Sequence, residues 1–154
     1  MRRYPYLIRG LLSGFEWFDE ALQTSLEKAG WPQVNRTEAI IILHVIVGVV
    51  RPSDIARSLR LSRQAVHVSI QKLAAQGVFE MRPDPEDRRI KIVTFSERGQ
   101  RRREDAEAVL KQLEALLEER IGTTNVRGLI DALQADWGRP PSVIVREGNV
   151  IGAG

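Results

Sequence analysis

One stretch of 35 residues, Leu61–Phe95, constrains the fold more than any other: LSRQAVHVSIQKLAAQGVFEMRPDPEDRRIKIVTF. Its first half has helical periodicity. Val66, Ile70 and Leu73 fall at i, i+4 and i+7, a single apolar stripe with Ala74 beside it. Ser62 stands where an N-cap belongs, and Gly77 stands where a helix ends. The period then changes. Val78–Arg82 reads as a strand, Pro83-Asp84-Pro85 breaks it, and Ile90–Phe95 returns as a strand rich in β-branched residues. A helix followed at once by a basic-tipped hairpin leaves few architectures open.

The residues just before narrow them further. Pro52–Leu59 predicts a short helix with proline in its first turn, and Ile55, Ala56 and Leu59 facing inward. Arg60-Leu61 makes a tight turn. Two short helices joined this way form a helix-turn-helix, and the hairpin adds a wing. In that geometry the second helix lies in the major groove of double-stranded DNA. The face opposite its buried stripe carries Ser62, Arg63, Gln64, His67, Val68 and Gln71. Arginine can donate bidentately to guanine, glutamine pairs with adenine, and Val68 suits a thymine methyl. At the hairpin tip, Arg88 or Arg89 suits the negative potential of a narrow minor groove, with Asp87 placed to orient a guanidinium. Pro83–Glu86 reads as a solvated turn.

Charge supports the same reading. Residues 51–103 carry thirteen Lys/Arg against six Asp/Glu, net +7. Residues 1–50 are balanced at five and five, and residues 104–154 carry five against nine. The basic field therefore belongs to the motif and not to the ends, as expected where phosphates are neutralised. The chain has no cysteine, which removes disulfides, thiol nucleophiles and cysteine-ligated zinc, and fits a cytoplasmic setting. Its longest apolar run, Ala39–Val50, is too short for a bilayer, which needs roughly 20 residues. MRRYPYLIRGLL makes a poor signal peptide, because Arg9, Glu16 and Asp19 break the apolar patch. With two histidines and no glycine-rich phosphate loop, no nucleophile–base set stands out. Glu114, Glu118 and Glu119 read as a solvated helix face. No enzyme, cofactor or metal site is expected.

The flanks read as helices. Ile8, Leu11, Leu12, Phe15, Phe18, Leu22 and Leu26 give residues 6–29 a wide apolar band, ended by Gly30-Trp31-Pro32. Asn35 and Glu38 have capping-box spacing before Ala39–Val47, a segment apolar almost all round and expected to be the central buried helix. Ser96 caps a long final helix region that tolerates Gly99 in its first turn. Arg101-Arg102-Arg103 oppose the helix dipole there and imply either an anionic partner or a solvated run. Ala106, Leu110, Leu113 and Leu117 keep a 4-3-4 seam. After a break at Gly122–Asn125, with Thr123 or Thr124 as cap, Val126, Leu129, Ile130, Leu133 and Trp137 share one face. The expected fold is mainly α with a small β-wing: a winged helix-turn-helix over residues 33–95, a helical dimerisation region over 6–32 and 96–137, and a tail over 138–154. Within the tail, Ser142–Val145 suits a short strand or a clamp on a neighbour.

The pattern resembles the MarR family of transcriptional regulators. DPEDRRIKIVTFSERG, residues 84–99, resembles that family's wing and its exit into the dimerisation helix, and residues 61–82 resemble its recognition helix and first wing strand. The resemblance implies a homodimer whose terminal helices intertwine, each subunit reading one half-site of a pseudo-palindromic operator, most simply as a repressor. Where many relatives have a basic residue this chain has Val68, which leaves its base preference open. The resemblance also implies a small aromatic or anionic effector between the dimer helices and the DNA-binding lobe, with Phe15, Trp17, Phe18, Trp31 and His44 as candidate lining residues. Family thiol switches are excluded by the lack of cysteine. Two alternatives stay open: an effector-independent architectural DNA-binding protein, and a protein-interaction module that reuses the winged fold.

Overall fold

The computed structural model describes residues 6–146 and 149–152. Among the described residues six helices run α1 Leu7–Lys28, α2 Arg36–Ile46, α3 Pro52–Leu59, α4 Arg63–Ala75, α5 Glu97–Ile121 and α6 Thr123–Gln134. The strands are β1 Phe79–Pro83, β2 Lys91–Phe95, β3 Val143–Arg146 and β4 Asn149–Gly152. They form two antiparallel hairpins, β1 with β2 and β3 with β4. The mainly α architecture with a small wing is as expected, and the strand expected at Ser142–Val145 forms at Val143–Arg146. The chain divides into two compact units, one ending at Leu113 and one beginning at Glu114.

In the first unit, α2, α3, α4 and the wing enclose one core. Ile41, Ile42, Val45, Ile55, Val66, Ile70, Leu73, Val78, Phe79 and Val93 are all buried in it. The α4 stripe does what its spacing predicts: Val66, Ile70 and Leu73 vanish from solvent. In the wing, Phe79 pairs with Phe95, and their rings meet edge-on at 5.3 Å. The Val93 amide also donates to Val50 O at 2.9 Å, tying β2 to the chain entering α3.

The α2 start is a full capping box. Asn35 Oδ1 accepts from the Glu38 amide, and Glu38 Oε2 accepts from the Asn35 amide, both at 2.9 Å. The other Glu38 oxygen accepts from Asn35 Nδ2 and, at 2.8 Å, from Lys72 Nζ on α4. Glu38 is 1% exposed, and its carboxylate links the α2 cap to α4 through Lys72, whose side chain is half exposed. Glu38→Ala is expected to cost about 1–2 kcal/mol, since it removes half of the capping box and the ion pair to Lys72. Urea unfolding checks this, as a lower midpoint with an unchanged m-value. An unchanged midpoint would show the network to be dispensable.

Two helix expectations need correction. The Ala39–Val47 segment is not buried all round: Leu43, Ile46 and Val47 are exposed. One α2 face packs into the winged core, and Ala39, Ile42, Leu43 and Ile46 on another line a cavity. The α6 cap is Gly122, with no side-chain cap bond; Thr123 instead donates to Glu118 Oε2. The helix stops at Gln134, so Trp137 lies beyond it, its Nε1 donating to Ala132 O.

Gly99 is required where it was expected only to be tolerated. A Cβ on it would lie 1.9 Å from Val78 O, inside the junction where β1 meets the start of α5. Ser96 builds that junction. Its amide donates to Val78 O, its hydroxyl donates to Gly77 O, and its Oγ accepts from the Gly99 amide. Gly77, at φ +74°, lets the chain leave α4 for the wing.

Candidate nucleic-acid interface

The interface residues start from the cap of α4. Ser62 Oγ accepts from the Ala65 amide at 3.1 Å, fixing where the helix begins. Arg60 before it adopts a left-handed conformation, φ 53° and ψ 37°, which turns the chain between α3 and α4 without a glycine. With Val66, Ile70 and Leu73 turned inward, Ser62, Arg63, Gln64, His67, Val68 and Gln71 are all exposed. Arg63, Gln64 and His67 also form one side of a cleft whose other side is Pro52 and Ser53 at the start of α3. The side chains expected at base edges thus share one open surface beside the first helix of the pair.

The wing tip is built by two aspartates. Asp84 Oδ1 accepts from the Glu86 amide at 2.9 Å, and Asp87 Oδ1 accepts from the Arg89 amide at 3.0 Å. The Asp84 amide and Ile90 O close the loop at 2.8 Å. Arg88 and Arg89 are exposed on it. Asp87 therefore shapes the loop backbone that carries Arg89; the expected hold on a guanidinium is not what it makes.

Pro83, Pro85 and Glu86 are exposed as a solvated turn would be, but Asp84 is not. Asp84 is 5% exposed, and its Oδ2 takes Arg51 Nε at 2.8 Å and Arg51 Nη2 at 2.6 Å. The Glu86 amide, then the Arg51 guanidinium, hold the Asp84 carboxyl below its usual range. Hydrogen bonding to Asp84 raises Arg51 in turn. Arg51 is the N-cap residue of α3, so this pair fastens the wing loop to the helix-turn-helix. Sequence reading missed it because the partners are 33 residues apart. The one local sign was an aspartate between two prolines, where a turn-capping carboxylate belongs.

The expected effector residues do not gather in one place. Phe15 and Phe18 line a cavity of about 180 Å³ between α1, α2 and α5, with Asp19, Leu22, Gln23, Val34, Ala39, Ile42, Leu43, Ile46, Arg102, Ala106 and Leu110. Trp17 only meets Phe18 edge-on, at 4.9 Å. Trp31 lies beneath the Arg98 guanidinium and donates Nε1 to Asp105 Oδ2 at 2.6 Å. His44 is spanned between Ile40 O at Nδ1 and Ser58 Oγ at Nε2, so it joins α2 to α3. A carbonyl accepts only, so Nδ1 is the donor to Ile40 O.

Arg101–Arg103 divide three ways. Arg101 pairs with Glu97 at 2.8 Å, and Arg103 pairs with Glu107 at 3.1 Å while lying over Phe95. Arg102 is 4% exposed and lines the cavity, where burial lowers its pKa. Neither a wholly solvated run nor a shared anionic partner describes the three.

The profile of the MarR family matches residues 33–90, from before α2 to the end of the wing loop. No curated protein sequence matches. Solved structures match over most of the chain. MarR from E. coli in its apo form is 17% identical, with a TM-score of 0.65, covering 86% of this chain and 97% of that one. CouR from Rhodococcus jostii RHA1 bound to p-coumaroyl-CoA is 26% identical, with a TM-score of 0.61, covering 87% and 94%. A MarR-family transcriptional regulator from Rhodococcus sp. RHA1 is 25% identical, with a TM-score of 0.59, covering 85% and 96%. Over residues 33–90 the chain is similar to the MarR family, and with the helix-turn-helix and wing in place its fold is that of the winged helix-turn-helix transcriptional regulators of that family.

Proposed function

We propose that this regulator binds a pseudo-palindromic operator as a homodimer and represses by occupying it. The observation that carries the reading is the open face of α4, Arg63 to Gln71, beside a wing whose tip presents Arg88 and Arg89. Residues 33–95 are the DNA-binding part, 6–32 and 96–137 the dimerisation region, and 138–154 a tail. Support for dimerisation is surplus apolar surface: Tyr6, Leu7, Ile8 and Leu12 at one end of the chain, and Leu129, Ile130, Leu133 and Trp137 at the other, are exposed. Each subunit would then offer one α4 to a half-site, two half-sites lying about one helical turn apart.

The test is selection of a duplex sequence by the purified protein, followed by binding across a salt series. Log affinity is expected to fall linearly with log salt. A flat salt response, or no selected sequence, overturns the DNA reading and favours a protein-interaction module. Arg89→Ala is expected to weaken binding by roughly tenfold or more without changing the sedimenting species. Parallel loss of the dimer would make Arg89 structural. Gln64→Ala is expected to relax preference at one base position; an even loss across all sequences would reduce Gln64 to helix positioning.

We further propose release from DNA by a small aromatic or anionic effector held between α1, α2 and α5. The cavity there, and a relative crystallised with p-coumaroyl-CoA, support this. A ligand that favours a different spacing of the two recognition helices shifts the dimer away from both half-sites. DNA affinity unchanged by every bound ligand would leave an effector-independent DNA-binding protein.

A further inference from the structure

One apolar side chain stands on the polar face of α4. Val68 is 56% exposed, and Gln64 and Gln71, its neighbours one turn to either side, are exposed with it. Folding gives no reason for a valine there. A β-branched residue loses side-chain freedom in a helix, and this one lies off the stripe of Val66, Ile70 and Leu73 that α4 buries. The same face is poor in charge. Arg63 and Lys72 are the only lysine or arginine residues of α4. Lys72 is drawn aside, its Nζ lying 2.8 Å from Glu38 Oε1. The middle of the face is therefore a carboxamide, a branched hydrocarbon and a carboxamide in line. At 1.5 Å rise per residue, Gln64 and Gln71 lie about 10 Å apart along the helix, the span of about three base-pair steps.

We propose that Val68 packs on the C5-methyl group of one thymine in each half-site, with Gln64 and Gln71 pairing with adenines on either side of it. The proposal rests on the operator reading above and names the bases at the centre of the half-site. Thymine is the only base that offers an apolar group in the major groove. Adenine offers a donor beside an acceptor, which one carboxamide fills. An isopropyl group has nothing to give a phosphate, so Val68 contributes to sequence choice and not to general affinity. Such a contact displaces no counterions, so its contribution is insensitive to salt even though total binding is not.

The test starts from a random-sequence duplex pool, from which the full chain selects its half-sites. Each thymine of the selected duplex is then replaced in turn by uracil, which keeps the base pair and lacks only the methyl. Fluorescence anisotropy reads the affinities. The parent protein is expected to lose about fourfold at one thymine position of the half-site and little at the others. Val68→Ala is expected to bind the thymine duplex about fourfold more weakly or worse, and to be indifferent to uracil at that position. Its deficit is expected to be the same at low and high salt. Its melting temperature is expected to equal or exceed the parent's, because alanine is the better helix former, so a lost contact is told apart from a lost fold. Gln71→Ala is expected to relax the preference for adenine at a neighbouring position; an even loss across sequences would strike Gln71 from the reading. A parent protein indifferent to uracil at every position overturns the proposal and leaves the operator reading standing. So does a Val68→Ala protein that keeps the parent's uracil penalty. If no duplex is selected at all, the operator reading fails and this proposal fails with it.

Discussion

Replacing Gly99 by alanine is expected to cost about 3 kcal/mol or more, the largest loss of any glycine-to-alanine change among the described residues. The new Cβ would meet Val78 O at 1.9 Å, Val78 C at 2.8 Å and Val78 Cα at 3.1 Å. These are backbone atoms, so no side-chain rotation relieves the overlap. Val78 cannot retreat cheaply either. Its amide donates to Leu73 O at 2.9 Å, its carbonyl accepts from the Ser96 amide at 3.1 Å, and its side chain is in the winged core. Relief requires parting β1 from the first turn of α5, which also breaks the Ser96 bonds to Gly77 and Gly99. Denaturant unfolding of the Gly99→Ala protein checks this. A midpoint within experimental scatter of the parent would mean that α5 can shift away from β1 at no cost. Gly14 is the contrast: nothing lies within 4 Å of a Cβ built there, and alanine in that helical position is expected to add up to about 1 kcal/mol.

Both glycines sit in helices, and nothing in their sequence neighbourhoods separates them. What was legible was local. Ser62 as a cap, the Asn35–Glu38 box, and the stripe Val66, Ile70, Leu73 each involve residues within seven positions, where period and capping chemistry leave few solutions. The change from helical to strand period at Gly77 gave the wing. Links that close over long sequence distances were not legible: Arg51 to Asp84, Glu38 to Lys72, and Trp31 to Asp105, 74 residues apart. Aromatic residues also misled, since size and ring character do not fix direction. Trp17, Trp31 and His44 turn to other partners, while Phe15 and Phe18 face the cavity. Arg102 had a signal that the run of three arginines hid. It lies four residues before Ala106 and eight before Leu110, so it continues the same helix stripe, and all three line the cavity.

Cutting the tie between Arg51 and Asp84 is expected to weaken operator binding by roughly 10- to 100-fold, as much as losing a direct contact from the wing. Asp84 Oδ2 receives both Nε and Nη2 of Arg51, while Asp84 Oδ1 shapes the loop through the Glu86 amide. Removing either side chain frees the loop that carries Arg88 and Arg89, so part of the binding free energy is spent ordering it. The tie should be insensitive to ordinary pH. Asp84 titrates below its usual value, so the tie is complete above the unfolded carboxyl pKa of about 4 and is lost only as pH falls through the lower folded value. Arg51, raised, stays charged at alkaline pH. A shift in operator affinity between pH 5 and 8 would therefore implicate a group outside this pair. The decisive comparison uses opposite charges. If Arg51 acted by touching phosphate, Arg51→Ala would weaken binding, whereas Asp84→Ala, by removing a negative charge near DNA, would strengthen it. If Arg51 acts by positioning the wing, both substitutions weaken binding to a similar degree and the double variant is little worse than either alone. Gel shifts of the three proteins on one operator, with sedimentation to confirm an unchanged assembly, separate the two outcomes, and a gain in affinity for Asp84→Ala would end the positioning account.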